Sequence, residues 1–495
     1  MASTDVSTVA RAPGRSRLLA ILEREGLVVG VVILYAASVA YRLPSRIGQD
    51  AWLALLGGRQ VLHHGPPTTD SLTYWTAGQH WVDQQWISQA ISYALYNAGG
   101  LKLFALTHVA LVTLALGLAV VGARLRGASP RAVAWLAIGV MYLLALTAGH
   151  VRTQSFAYPL FSLALILLLA DVRRPSKRVL LVLPVLALWS NVHGSVVLGA
   201  TLVALYGVLL LARPDCPNAL RARGALLLVG SGLALIATPW AFDTLSYYRA
   251  TLFNAAFKTV VSEWRAPTLS MTLAPFFLLA GLGLWLLGRC HRRFVAFDAL
   301  ALLLLTALAF AAQRNIVWLA LGAIPLLAPA LDDVVPHPSR PARAQVNVGF
   351  GLVAGAFACF ALSAAIVRSE SWYLGPWPAH AGDAMGRAAQ RDPTARIYAN
   401  ERYADWLLMT HPELQGRMAY DVRFELLSSK QLMAVARWRN EIGNGWTGAA
   451  DGARLIVLDL PSERNNERDL LAERGTRILY RDSRISVLLR PRPSA

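Results

Sequence analysis

Residues 49–89 read QDAWLALLGGRQVLHHGPPTTDSLTYWTAGQHWVDQQWISQ. The stretch holds three aspartates, two adjacent histidines and four tryptophans, and it lies between two strongly apolar stretches. A polar segment of this length needs a wet surface, and the chain around it offers little. The 495 residues are 55% hydrophobic and only 15% charged, with a mean hydropathy of +0.44. A soluble protein of this length carries more charge. Apolar runs of membrane-spanning length recur through the first 370 residues. The pattern predicts an all-α polytopic membrane protein.

Helices are expected near 26–43, 102–123, 131–149, 153–170, 178–192, 194–212, 224–242, 271–288, 297–313, 315–331 and 347–367, about eleven spans in all. Loop charges orient them. Arg11, Arg15, Arg17 and Arg24 precede the first span, and every second loop thereafter is basic: Arg124, Arg126 and Arg131; Arg173, Arg174, Lys177 and Arg178; Arg213, Arg221 and Arg223; Arg289, Arg292 and Arg293; Arg340 and Arg343. Positive charge stays inside. Residues 1–25 are therefore expected as a cytoplasmic tail, 26–369 as the membrane domain and 370–495 outside. No cleavable signal peptide is evident at the polar, Arg-rich start.

The net charge of +18 is a topology and lipid-surface signal, not one for nucleic acid. Cys216, Cys290 and Cys359 fall on expected cytoplasmic loops or in a span, so no disulfide framework follows. Residues 370–495 change character. ARIYANERYADWLLMTHP and ARLIVLDLP alternate β-like and helical runs, and TRILYRDSRISVLLRP reads as a hairpin around Asp482 and Ser483. A small soluble α/β domain is expected there.

The opening stretch then lies in the first external loop, 44–101, and a second long external loop spans 243–270. DAWLALLGGRQVLHHG (50–65) and DQQWISQAISYALYNAGG (83–100) both read as amphipathic helices in the membrane interface. Asp50 sits just past the first span. Asp70 follows a PPTT turn and can brace it. Asp83 can cap the second helix. His63 and His64 point about 100° apart in a helix and suit no shared metal. Arg152, His193 and Arg314 lie at outer ends of spans. Such arginines can snorkel to headgroups or converge on a phosphate, with Arg249, Lys258 and Arg265 able to join them. His193 can be a ligand or a packed residue. The spans carry almost no ionisable groups at mid-depth apart from His108, which argues against an ion-coupled transporter.

The motifs in order resemble those of GT-C superfamily glycosyltransferases, in the poorly characterised bacterial branch that uses polyprenyl-phosphate sugars. DAWLALLGGR with GPPTTDSLTYWTAGQHWVDQQW resembles that family's first external loop. VRTQSFAYPL, WSNVHGS, EWRAP (263–267) and YDVRFEL (420–426) are similar as well. The resemblance implies a helical bundle with juxtamembrane helices in the first and fourth external loops, in the bacterial inner membrane. It implies Asp50 as general base, with Asp83 or Glu263 able to supply a second carboxylate, because Gln85 stands where relatives often have an acid. Arg59, Asp70, Trp86, Arg152, Gln154, Asn191, His193, Arg249, Arg265 and Arg314 are the implied substrate-binding residues. The implied partners are a polyprenyl-phosphate-linked sugar, the bilayer and a glycan, lipid or protein acceptor. The resemblance leaves open whether a divalent cation, Mg or Mn, assists. A lipid-linked-sugar transporter and a non-catalytic envelope-assembly protein are the competing readings.

Overall fold

The computed structural model describes residues 17–214, 217–252, 254, 256–335, 344–443 and 445–491. Arg11, Arg15, Cys216, Arg340 and Arg343, used above, lie outside these. Helices occupy all eleven expected positions, from Arg17–Tyr41 to Ala344–Val367, which pack against each other as the chain's first and last apolar helices. Among the described residues, five helices are long and apolar enough to cross a bilayer: Trp86–Leu125, Pro130–Thr147, Thr153–Arg173, Gln313–Val334 and Ala344–Val367. Three more, Val196–Leu211, Ala274–Arg289 and Ala296–Ala311, are apolar but shorter.

The opening stretch folds differently from the expectation of two interfacial helices. Gln49–His64 is a helix buried along most of its length, with Trp52, Leu55 and Leu56 all inside. It is sandwiched between Trp86–Leu125 and the helix Glu401–Thr410 of the C-terminal region. Gly57 and Gly58 permit this, since a Cβ at either position would collide with Gln89. Arg59, on the helix's opposite side, donates to the carbonyls of Leu408 and Met409, both at 3.0 Å. These are orphan acceptors at the end of Glu401–Thr410, so the pairing satisfies two groups that a helix terminus leaves open.

The expected second interfacial helix is the first part of a 40-residue helix, Trp86–Leu125, that continues into a candidate span. The join is a break at Gly99 and Gly100, where Gly100 has φ +67. The Leu101 amide there is capped by Glu370 at 2.8 Å.

The C-terminal region carries a four-stranded sheet: β1 (Arg396–Ala399), β2 (Ala453–Asp459), β3 (Arg477–Arg481) and β4 (Ile485–Leu489), in the order β1-β2-β4-β3. β1 and β2 are parallel, and the other pairs are antiparallel. β3 and β4 form the hairpin expected around Asp482 and Ser483. Alternate residues of β2 face opposite ways, as strand geometry requires. Leu455 and Val457 join the core continuous with the membrane helices, while Ile456 and Leu458 join a second core with Phe257 and Val260 from the 243–270 loop.

The turn-rich part of the opening stretch completes this sheet. Residues 417–419 run beside β1, and residues 72–75 run beside them in turn: the Tyr74 amide bonds Met418 O at 2.8 Å and the Gly416 amide bonds Leu72 O at 2.9 Å. A lone β segment from the first long loop thus closes an edge that would otherwise be open.

Candidate active site

Two backbone ties set the site. Ile47 bridges to Val151, whose amide bonds Arg46 O at 2.9 Å, so Asp50 at the start of its helix stands beside Arg152. The Gln313 amide bonds Arg265 O at 3.0 Å, which brings the turn carrying Glu263 and Trp264 against the turn carrying Arg314. Between these ties lies a chamber of about 360 Å³. Asp50, Gln85, Arg152, Gln154, His193, Glu263 and Arg314 all line it, and Glu401, Glu425 and Arg439 enter from the C-terminal region.

Arg152 is the hub. It is 8% exposed, and one Nη lies 3.2 Å from both Glu263 oxygens and 3.7 Å from Asp50 Oδ2. Its other Nη donates to Thr147 O at 2.9 Å, and its Nε is buried without a partner. Arg314 stacks on the Trp264 ring, 4.4 Å from the centroid. The two guanidiniums therefore flank Glu263 in one wall.

The three carboxylates named from the sequence differ. Burial raises the Asp50 pKa above the ordinary aspartate value, and Arg152 offsets only part of this. Its carboxyl nonetheless opens on the chamber, with nearly half of the side chain reached by solvent. Glu263 goes the other way: the bidentate Arg152 contact lowers its pKa, against the effect of burial. Asp83 lies outside the chamber lining. It accepts from Gln89 Nε2 at 2.9 Å and the Gln85 amide at 3.4 Å, its Oδ2 is buried without a partner, and burial pushes its pKa to about 7. It braces the start of the Trp86–Leu125 helix.

Gln85 and Gln154 border the chamber; Gln85 accepts from Thr153 Oγ1, and Gln154 Nε2 is buried with no protein partner. His193 accepts the Ser195 amide at 3.1 Å on Nδ1, which leaves Nε2 as the protonated nitrogen. Burial, then Arg314 and Arg152, keep its imidazole neutral.

The structure places the remaining expected substrate contacts away from the chamber. Asp70 is buried: it accepts from the Leu72 amide, Thr73 and Thr76 at 2.6–2.9 Å, and pairs with Arg423 at 2.8 Å. Arg59 caps a helix, as above. Trp86 donates to Asn191 at 2.8 Å, and Asn191 in turn donates to Ala187 O and Ala237 O, a knot between helix ends. Arg265 folds back on Lys258 O and Thr259 O. Arg249 borders a shallow depression with Ser429 and Met433. In each case a nearby carbonyl, carboxylate or amide claims the side chain, or the loop directs it elsewhere.

The YDVRFEL motif also brings Glu425 to the chamber, a residue the sequence reading does not name. Burial pushes its pKa to about 7, against the pull of its own backbone amide and Arg423. Neighbouring Arg423, held by Asp70 and Asp421 and lying 4.3 Å from the Trp81 ring centroid, fixes this segment against the first loop.

A groove of about 260 Å³ leaves the chamber past Gln154, His193, Tyr247 and Arg314 and runs between apolar helices, with Leu198, Leu304, Leu308 and Trp318 in its walls. Among the described residues no three His, Cys, Asp or Glu stand close enough to hold a metal ion, and Asp50 and Glu263 share Arg152 instead.

No protein-family model matches the chain, and no curated protein matches it in sequence. Solved structures do match. ArnT from Cupriavidus metallidurans in the apo state is 14% identical over 94% of this chain and 96% of its own, with a TM-score of 0.53. The same protein bound to undecaprenyl phosphate gives 0.52, with 14% identity over 96% and 98%. The archaeal oligosaccharyltransferase AglB from Archaeoglobus fulgidus, in complex with an inhibitory peptide and a dolichol-phosphate, also gives 0.52, with 12% identity over 87% of this chain and 69% of its own. These are GT-C superfamily glycosyltransferases. At such low identity the likeness is one of fold: this chain has the GT-C fold along nearly its whole length.

Proposed function

We propose that the chain is a GT-C membrane glycosyltransferase that moves a sugar from a polyprenyl-phosphate donor to a hydroxyl acceptor, with inversion, at the outer face of a bacterial inner membrane. One observation carries this reading. An apolar groove between membrane helices ends at Arg314, inside a polar chamber where Asp50 stands 3.7 Å from Arg152. That sequence of surfaces suits a ligand with a lipid tail, a phosphate and a sugar, in that order. The solved ArnT and AglB structures named above hold undecaprenyl phosphate and dolichol-phosphate, which supports it.

In the step itself the acceptor oxygen forms a bond to the anomeric carbon while the bond from that carbon to the phosphate oxygen breaks. The phosphate leaves with the electron pair, beside Arg314 and Arg152, whose planar forks match its oxygens. The acceptor proton passes to Asp50. Asp50 suits this role better than Glu263: a base works best when its pKa approaches the operating pH, and Asp50 is shifted upward while Glu263 is held down. A single displacement of this kind inverts the anomeric centre. The N-terminus is cytoplasmic and residues 370–495 lie outside, as the alternating basic loops require.

Purified protein in lipid, offered a panel of polyprenyl-phosphate sugars together with a panel of hydroxyl acceptors, should consume at least one of the donors. Intact donor throughout, or equal consumption by Asp50→Asn, overturns the reading.

A further inference from the structure

A second, larger cavity of about 600 Å³ lies beyond Gln49 from the chamber, in the seam between the first long loop and the C-terminal sheet. Ser45, Gly48, Gln49 and His150 form one wall; Asn400, Glu401, Arg402, Asp459 and Ser462 form the other. The two cavities share Gln49, Glu401 and Arg439. We propose that this seam cavity binds the acceptor, and that the acceptor is a neutral glycan. The inference rests on the transferase reading above.

Position is the first argument. The apolar groove meets the chamber at Gln154, His193, Tyr247 and Arg314, whereas the seam cavity meets it at Gln49, next to Asp50 in the chain. The three spaces stand in series. An inverting displacement needs the nucleophile and the leaving group on opposite sides of the anomeric carbon. A donor phosphate at the Arg314 end and an acceptor arriving across Gln49 meet that requirement, and the arriving hydroxyl reaches Asp50 first.

The walls specify the class. Arg402 pairs with Asp459 at 3.6 Å, and Arg439 pairs with Glu401. Glu463 is claimed by Trp438 Nε1 and the Asp459 amide, both at 2.8 Å. Two arginines thus face three carboxylates, and burial pushes the pKa of one of these, Glu463, to about 7, so little net field is left for an anion or a cation. Burial first, then Arg152 and Arg46, keep His150 neutral, with a pKa near 4. Only Ile47, Pro376 and Trp377 are apolar, too few for an acyl chain and unlike the groove on the donor side. Dense paired donors and acceptors beside an aromatic wall suit hydroxyl groups.

Trp377 adds a second, independent observation. It is fixed edge-on to Trp52, 5.3 Å between centroids, and packed on Trp406 at 5.7 Å. Its Nε1 is a buried donor without a protein partner, and so is Nε of Arg439. Unpaired buried donors are costly. Both residues border the seam cavity, so these unclaimed donors lie just behind the wall that a bound glycan would face.

Saturation-transfer NMR on the full chain in lipid nanodiscs, with a panel of neutral oligosaccharides, tests this. At least one glycan should bind. Ser462→Trp, at an exposed position on the rim, and Arg402→Ala should each weaken it about tenfold or more. Absence of binding by every glycan, or binding undiminished in Ser462→Trp, overturns the proposal. Binding of an extended peptide panel in place of glycans overturns the class. Donor consumption by the unaltered protein is read separately, so failure of the transferase reading shows as intact donor while glycan binding is scored on its own.

Discussion

The first long loop contains two aspartates twenty residues apart, and they have opposite surroundings. Asp70 has every lone pair engaged: one amide, two hydroxyls and Arg423 hold it in a sealed site at 2% exposure. Although burial alone would raise its pKa, Arg423 and these hydrogen bonds bring it below the ordinary value. Asp50 has one long contact to Arg152 and faces water in a chamber, and burial raises its pKa. A carboxylate whose partners are complete stabilises its ionised form and has no reason to take a proton. One that is enclosed but under-partnered is ready to accept it. The same loop thus holds a clamp, which fastens it to the C-terminal region through Arg423, and the carboxylate proposed above as the base.

The comparison is broken most directly at Asp50. Asp50→Asn keeps the size but cannot take a proton, so sugar transfer should fall by about 10²–10⁴-fold while the melting temperature stays close to that of the parent. In the parent, the rate should fall as acid protonates Asp50, with an apparent pKa above the usual aspartate range because of burial. A rate profile flat down to the ordinary aspartate pKa, or near-normal turnover by Asp50→Asn, places the base elsewhere.

Asp70→Ala should do the reverse. It leaves Arg423, which is 2% exposed, with Asp421 as its one remaining carboxylate. Removing one partner of a buried pair costs about 3–5 kcal/mol. Chemical denaturation should show that loss, with turnover per folded molecule largely kept at low temperature. Unchanged stability would mean that the clamp is not where the loop is held.

Much of this contrast was not legible in the sequence. The eleven helical positions and the hairpin at Asp482 follow from local periodicity; Asp50, Arg152, His193 and Arg314 stand out by their places at span ends, Gln154 and Glu263 by the motifs around them, and geometry brings all six to one chamber. What local pattern does not carry is pairing at long range. Residues 72–75 join the sheet beside 416–419 across more than 300 positions, with no turn to announce it. The stretch 50–65 reads as amphipathic, with Trp52, Leu55, Leu56 and Val61 near one helical face, yet Arg59 on it finds the end of another helix. Charge is visible in a sequence, but direction is not: Arg265 and Arg314 both lie in loops expected outside, and of the two only Arg314 faces the chamber.

The arginine pair sharpens the comparison with a smaller effect. Arg314→Ala removes the proposed phosphate contact, of about 1–3 kcal/mol, and should weaken donor binding roughly tenfold or more. Arg152→Ala should do the same and also lower kcat, since Arg152 alone holds both Asp50 and Glu263. Donor titration beside single-turnover rates separates the two. Unchanged donor affinity in both variants would remove them from the phosphate site.

The smallest effect is expected at Asp83, the third aspartate of the loop. Like Asp50 it is under-partnered, with Oδ2 unbonded, but unlike Asp50 it is fully buried and does not border the chamber. Burial raises its pKa in the folded protein to about 7, from an ordinary value of 3.8. The folded state therefore holds this proton more tightly than the unfolded chain does. The sign follows from proton linkage. The contribution is complete below about pH 4, diminishes as the unfolded chain ionises, and is lost once pH passes about 7. Asp83→Asn cannot ionise and keeps an acceptor for Gln89. It should leave transfer within a few-fold of the parent and flatten the dependence of melting temperature on pH between about 4 and 7, so that the variant gains on the parent as pH rises. A large loss of turnover in Asp83→Asn, with Asp50→Asn still active, would reverse the roles assigned to the two residues.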